Sequence, residues 1–123
     1  FTGALSDTQI RACFTGALFF AFPSLIEGFG LPVLEAMACG APVLTSNCSS
    51  LAEIAADHAL LVDPTDVDSI AAGMRRLLAE PELRQRLGQQ GQQRAATFTW
   101  ETSARQTLQV YGQFADSAGA SSD

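Results

Sequence analysis

The sequence predicts an α/β fold, a parallel sheet flanked by helices, with further helices added at its C-terminal end. Three observations carry that prediction. Short unbroken apolar runs (Ala17–Phe22, Pro42–Thr45 and Ala59–Val62) recur between stretches of helical periodicity. An unbroken apolar run reads as a strand covered on both faces, the usual position of a strand in a parallel sheet. From about residue 80 onward only helical patterns remain, so the alternation stops there.

Each element follows from local chemistry. Ser6-x-x-Gln9 is a capping-box pattern, so a helix starts near Asp7 and stops before Gly16, which suits a C′ position. The first strand, Ala17–Phe22, ends at Pro23. Ser24 to Gly30 is a loop with two glycines. Pro32 sits in the first turn of the next helix, where its missing N–H costs nothing, and that helix runs to about Cys39 with Gly40 ending it. Pro42–Thr45 is the second strand, Leu51–Ala56 a short helix and Ala59–Val62 the third strand. Thr65 is placed to cap a long helix whose Val67, Ile70, Ala71, Met74, Leu77 and Leu78 make one apolar stripe. Pro81 opens a helix that carries Leu83 and Leu87 to about Ala96. A last helix follows Phe98-Thr99-Trp100, with Ala104, Leu108, Tyr111 and Ala115 on one face.

Phe1-Thr2-Gly3 reads as the end of a strand and its turn. The chain is therefore expected to be a fragment or an isolated domain of a longer protein. Residues 1–115 form one domain in this reading, and 116–123, rich in Ser, Ala, Gly and Asp, a flexible tail. The 123 residues are 47% apolar and 16% charged, enough for one self-sufficient core and outside the disordered range.

Charge excludes several functions. The net charge is −6, all seven basic residues are Arg, and there is no Lys. Such a chain has no electrostatic footprint for nucleic acid and no Schiff-base or P-loop lysine. Phosphate binding would fall to backbone N–H groups. Cys13, Cys39 and Cys48 match no zinc spacing and read as reduced, mostly buried thiols. The longest apolar run is far too short to span a bilayer.

The chemistry gathers between the first strand and the helix that follows it. In open α/β sheets, ligands bind beyond the carboxyl ends of the strands. Glu27 and Glu35 sit eight positions apart around this turn, and Gly28, Gly30 and Pro32 prevent them from sharing a helix. Glu27 is placed in the loop and Glu35 in the first turns of the helix, both able to point into one cleft. The N–H groups of Phe29, Gly30 and Leu31 are candidate donors to an anion at the helix N-terminus. Carboxylates accept hydrogen bonds from sugar hydroxyls and amides receive phosphate, so a nucleotide sugar fits.

The string from Phe22 to Val43, with Glu27 and Glu35 in an E-x7-E spacing, resembles retaining GT-B glycosyltransferases, the glycosyltransferase family 4-like or group 1 enzymes that build lipopolysaccharide, exopolysaccharide and glycolipids. The likeness continues through Leu51-Ala52-Glu53, Ala59-Leu60-Leu61-Val62-Asp63-Pro64 and Phe98-Thr99-Trp100, and covers the chain to about Tyr111. It departs at Ala52, where the family often has Pro, and at Ala55-Ala56, which replaces a frequent Ala-Gly.

The resemblance implies a Rossmann-like parallel sheet, the C-terminal half of a GT-B fold, that binds the donor. Glu27 would be the catalytic residue and contact hydroxyls of the donor sugar. Gly28, Phe29, Gly30 and Leu31 would contact the sugar and the diphosphate, and Glu35 would hold the ribose hydroxyls. The family is metal-independent, needs no cofactor beyond its donor, and retains anomeric configuration, with the leaving diphosphate accepting the acceptor's proton. GDP-mannose and UDP-hexose are both plausible donors. The acceptor, a glycan or a lipid-linked glycan of bacterial cell-surface polysaccharide synthesis, would come through an N-terminal domain. That domain, and the family's Arg/Lys pair on the diphosphate, would lie upstream of Phe1, so this chain alone is expected to be inactive. The implied location is cytoplasmic, with peripheral attachment at the inner face of the membrane open to the full-length protein. Self-association through an exposed sheet edge is expected.

Other readings compete. A non-enzymatic nucleotide or sugar-phosphate binding module of the same fold is the main alternative. A receiver-type signalling domain needs an acidic cluster at strand ends, for which Asp63 is a candidate, and a Lys that this chain lacks. A glycosidase pair needs two carboxylates across a scissile bond, and a loop-plus-helix pair beside an amide-rich turn suits diphosphate better. Among the remaining polar residues, His58 reads as a surface residue and Glu53 as capping or solvated. Ser46, Asn47, Ser49 and Ser50 read as turn and cap formers. Trp100 and Tyr111 read as core or domain-packing residues. Arg75, Arg76, Arg84, Arg86 and Arg94 read as solvated faces.

Overall fold

A computed structural model describes residues 1–119, with side chains through Gln113. Three parallel strands, β1 (Phe20–Phe22), β2 (Val43–Ser46) and β3 (Leu60–Val62), lie in the order β1-β2-β3. The register pairs Phe20 with Val43 and Phe22 with Thr45, then Leu44 with Leu60 and Ser46 with Val62. The described residues form six helices: α1 (Asp7–Gly16), α2 (Leu31–Ala38), α3 (Ser49–Ala55), α4 (Val67–Ala79), α5 (Pro81–Ala95) and α6 (Trp100–Gly119). A 3-10 turn, Ala56–His58, links α3 to β3. Of the expected tail at 116–123, the backbone is helical to Gly119, and residues 120–123 lie outside the described residues.

The core has two halves, one on each face of the sheet. Val33, Met37, Val43, Leu51 and Ile54 fill the side covered by α2 and α3. Leu44, Val62, Leu77, Leu83 and Leu87 fill the side covered by α4 and α5. Successive residues of β2, Val43 and Leu44, point to opposite halves, and all four residues of this central strand are buried. That is the doubly covered strand its apolar run predicts.

The first apolar run behaves differently from expectation. Only Phe20–Phe22 is strand, and all three residues are half-buried. Among the described residues β1 is an edge strand, paired with β2, and Leu18 just before it is 50% exposed. Phe1–Gly3 forms no strand; Gly3 is in the left-handed region at φ 68°. The capping box at α1 is present: Ser6 Oγ accepts from the Gln9 N–H, and Gln9 Oε1 accepts from the Ser6 N–H at 2.9 Å.

α4 carries two corrections. Its cap is Asp66, which accepts from the Asp68 N–H at 2.9 Å, and not Thr65. Thr65 is committed elsewhere: its N–H and hydroxyl donate to Asp63 Oδ1 at 2.8 and 2.7 Å. The helix also turns a different line to the sheet. Its buried residues are Gly73 and Leu77, with Ile70 packed beside them, while Val67 and Leu78 are 78% and 58% exposed. Gly73 explains the rotation. A Cβ there would lie 2.7 Å from Val62 Cγ1 and 2.8 Å from Leu44 Cδ1, so the helix backbone itself rests on the sheet. Glycine has no hydropathy to mark that contact.

Both Thr65 hydrogen bonds, the hydroxyl first, hold the exposed Asp63 carboxyl below its usual range. A carboxyl that is more acidic in the folded state contributes stability at neutral pH, lost as pH falls through its folded value. Thr65→Val is expected to return the Asp63 titration upward, read from its side-chain carboxyl carbon by NMR. An unmoved titration would show the hydroxyl to be irrelevant.

The cysteines are free, but Cys13 is exposed and Cys39 and Cys48 are half-buried, so they are not core thiols. Trp100 and Tyr111 are 86% and 66% exposed on α6 and are not core residues in this chain. Two arginines leave the solvated class. Arg84 donates to the carbonyls of Leu77 and Leu78 at the end of α4. Arg94 donates to those of Glu53 and Ile54 in α3, at 2.9 Å each. Long, forked donors satisfy the unpaired carbonyls that helices leave at their ends. Among the described residues no helix is long and apolar enough to cross a membrane.

Candidate functional site

The loop between β1 and α2 lies at the carboxyl end of the sheet, as the strand direction requires. It is held from behind by side chains at the end of β2 and in the first turn of α3. Thr45 Oγ1 donates to the Phe22 carbonyl at 2.9 Å, Ser46 Oγ to that of Ser24, and Ser50 Oγ to that of Glu27 at 2.8 Å. Cys48 Sγ lies 3.5 Å from the Leu25 carbonyl. Thr45 and Ser46 are fully buried polar residues, and these bonds are what satisfies them. The expectation that Ser46 and Ser50 serve turns and caps is therefore corrected. The N-cap of α3 is Cys48 with no side-chain bond, and the hydroxyls clasp the preceding loop instead.

Glu27 is half-buried in that loop. Its carboxylate accepts from Ser24 Oγ at 3.2 Å, and the same hydroxyl reaches the Ile26 carbonyl at 3.1 Å. The residue is thus braced twice, at its carbonyl by Ser50 and at its carboxylate by Ser24. Glu35 is exposed on α2, where Val33, Leu34, Ala36 and Met37 take the buried positions. Leu31 and Glu35 are four apart and share the outer face of the helix, about 6 Å along its axis.

Between the carboxylates lies the turn. Gly30 is the N-cap of α2 with φ 100° and ψ 39°, and no side chain caps the helix. The Val33 N–H returns to the Gly30 carbonyl at 3.0 Å, while Pro32 has no N–H to satisfy. Among the described residues, the N–H groups of Gly28, Phe29, Gly30 and Leu31 donate to no protein acceptor. Gly30 also lies against the core, since a Cβ would meet Leu51 Cδ2 at 2.7 Å, whereas Gly28 faces open space. The structure therefore places Glu27, Gly28, Phe29, Gly30 and Leu31 in one turn, and Glu35 one helical turn beyond them on the exposed face.

This segment lies open at the surface. A cleft of about 580 Å³ between α4 and α5, lined by Arg76, Glu80, Glu82 and Arg86 among others, touches none of it. Concavity alone would point to the wrong place, because the chemistry of the loop and not its depth distinguishes it.

Two residues near the site carry signals that sequence reasoning assigned elsewhere. Arg94, tied to α3, stacks over the Phe98 ring at 4.7 Å, and the Phe98 ring meets that of Phe29 edge-on at 6.1 Å. Only the Phe98-Thr99-Trp100 string marked this region in the sequence.

Comparison with known proteins gives consistent results. The family model described as "Glycosyl transferases group 1" matches residues 1–94. The chain is 40% identical over 111 residues to O-antigen chain mannosyltransferase B of Escherichia coli, covering 90% of this chain and 29% of that protein. It is 41% identical over 114 residues to the MMP alpha-(1->4)-mannosyltransferase of Mycolicibacterium hassiacum, covering 89% of this chain and 28% of that protein. The structure of sucrose-phosphate synthase from Thermosynechococcus elongatus superposes with a TM-score of 0.81 at 34% identity, covering 95% of this chain and 30% of that one. The chain thus spans about three tenths of the length of these relatives.

Proposed function

The chain belongs to the group 1 glycosyl transferases, and on that premise we propose that it is the donor-binding part of a retaining glycosyltransferase. In this reading a hexose of mannose type passes from a nucleotide-diphosphate sugar to a glycan or lipid-linked acceptor, without a metal ion. The observation that carries the reading is the turn at the head of α2. Among the described residues its four successive N–H groups have no protein acceptor, and they stand beside Glu27, which is braced at its carbonyl by Ser50 and at its carboxylate by Ser24. Unpaired donors at a helix start attract phosphate oxygens, and carboxylates accept from sugar hydroxyls.

The roles follow from position. The amides of Gly28, Phe29, Gly30 and Leu31 receive the diphosphate and part of the sugar. Glu27, next to them, takes sugar hydroxyls and steadies the donor as charge leaves the anomeric carbon. Glu35, one turn on, takes the ribose hydroxyls. None of these roles asks for a metal. The departing diphosphate is the base nearest the acceptor hydroxyl when attack comes from the leaving-group face, which retains configuration. The mannose-type donor draws support from the two relatives named as mannosyltransferases. The O-antigen name of one of them favours a cell-surface polysaccharide route.

Calorimetry with GDP, UDP, GDP-mannose and UDP-glucose tests this. GDP-mannose is expected to bind more tightly than GDP, because only the sugar nucleotide engages Glu27. Glu35→Ala is expected to weaken both by roughly tenfold, the loss of a hydrogen bond to a charged group. Chelator should change neither. Equal affinity of Glu35→Ala and the parent chain for GDP would remove the ribose assignment.

A further inference from the structure

We propose that Phe98 is a positioning residue for the donor loop, holding Phe29 so that the amides of Phe29, Gly30 and Leu31 face the diphosphate. The proposal rests on the donor-site reading of that loop. It starts from the exposure of Phe29, a residue that is 48% exposed and whose aromatic contact among the described residues is the edge-on meeting with Phe98, at 6.1 Å and 81°. A loop that carries two glycines and an exposed ring needs an outside support to keep one conformation.

Phe98 can supply that support because it is itself tied down. The end of α5 is closed by a turn in which the Thr97 and Phe98 N–H groups return to Arg94 and Ala95 at 3.0 and 3.1 Å. The Thr97 hydroxyl adds a bond to the Arg94 carbonyl at 2.8 Å. On its other side Phe98 lies under the Arg94 guanidinium, 4.7 Å from the ring centroid. That guanidinium is locked by its Nε and Nη2 bonds to Ile54 and Glu53, 2.9 Å each. A planar cation with two fixed donors and one free face is a rigid seat for a ring. The path runs from α3 through Arg94 and Phe98 to Phe29. The Thr45–Ser50 clasp fixes the first half of the loop, Phe22 to Glu27, and Phe98 supports the second half.

The test has a ligand-free arm and a ligand arm. In the chain without nucleotide, Phe98→Ala and Phe98→Leu are expected to shift and broaden the backbone amide signals of Phe29, Gly30 and Leu31, with those of Leu44 and Leu77 unmoved. Phe98→Tyr, which keeps the ring, is expected to restore them. With GDP as probe, Phe98→Ala and Phe98→Leu should bind about 2- to 10-fold more weakly, the range of an aromatic pair converted to affinity, and Phe98→Tyr like the parent chain. Unmoved Phe29–Leu31 amides in folded Phe98→Ala or Phe98→Leu would overturn the proposal, as would equal GDP affinity in all variants. Failure of the parent chain to bind GDP, with the loop amides still moved by Phe98→Ala, would reject the donor-site reading and leave the mechanical link standing.

Discussion

Glu27→Ala is expected to lower glycosyl transfer by a full-length protein carrying this segment by roughly 10- to 150-fold. Hydrogen bonds from neutral groups to a charged acceptor contribute about 1.5–3 kcal/mol, and tenfold in rate corresponds to about 1.36 kcal/mol. The carboxylate is held by a single side-chain partner three residues away, Ser24 Oγ at 3.2 Å, so little of the fold depends on it. Stability should therefore stay within about 0.5 kcal/mol of the parent, the usual range for a residue outside the core. Glu27→Gln keeps the shape and one acceptor oxygen but loses the charge, so it should fall between the two. Initial rates at saturating and limiting donor separate the cases. A loss confined to KM would make Glu27 a ground-state contact, while a loss in kcat assigns it to the transition state. Parent-like turnover in both variants, with donor binding intact, would sink the assignment.

The part of the fold legible in the sequence is the part written in side-chain hydropathy and caps. Ser6 and Gln9, Pro32, Gly40 and the doubly covered run of β2 announce themselves, because each rule involves residues a few positions apart, whereas the run of β3 makes a strand whose Leu61 stays exposed. What escaped was written in absent atoms or in distant partners. Gly73 turns α4 toward the sheet, yet a periodicity count treats it as a gap and moves the stripe to Val67 and Leu78. Arg94 looks like one charge among several on α5, and its partners at Glu53 and Ile54 are about forty positions away. The departure at Ala56 has a structural echo: it sits at φ 43° and ψ −129°, a conformation that favours glycine.

The candidate site divides the same way. Glu27, the turn and Glu35 lie within nine consecutive residues, so one string carries them. Their support does not. Thr45, Ser46 and Ser50 act on carbonyls 22 or 23 positions earlier, through the parallel pairing of β1 and β2. A signal was available in hindsight: Thr45 and Ser46 close an otherwise apolar strand, and buried hydroxyls must find acceptors. The acceptors nearest the carboxyl end of β2 are the carbonyls leaving β1.

Gly30→Ala is expected to destabilise the chain by about 2–5 kcal/mol, the largest single-atom effect within the site. Two costs add. At φ 100° an alanine Cβ meets its own backbone, about 1–2 kcal/mol for a left-handed residue. The same Cβ would stand 2.7 Å from Leu51 Cδ2, and Leu51 is fully buried, so its movement disturbs the α2–α3 half of the core. Overpacking of that kind costs about 1–3 kcal/mol. No gain in helix propensity offsets these costs, because Gly30 is the N-cap and not a helical position. Gly28→Ala is the control within the same turn. Nothing lies within 4 Å of its Cβ and its φ is not left-handed, so its stability should change by less than about 0.5 kcal/mol. At about 4 °C per kcal/mol for a domain of this size, Gly30→Ala should lower Tm by roughly 8–20 °C and Gly28→Ala by no more than about 2 °C. Equal Tm values for the two variants would mean that the turn relaxes freely. In that case the N–H groups at the head of α2 would lack the fixed geometry on which their diphosphate role depends.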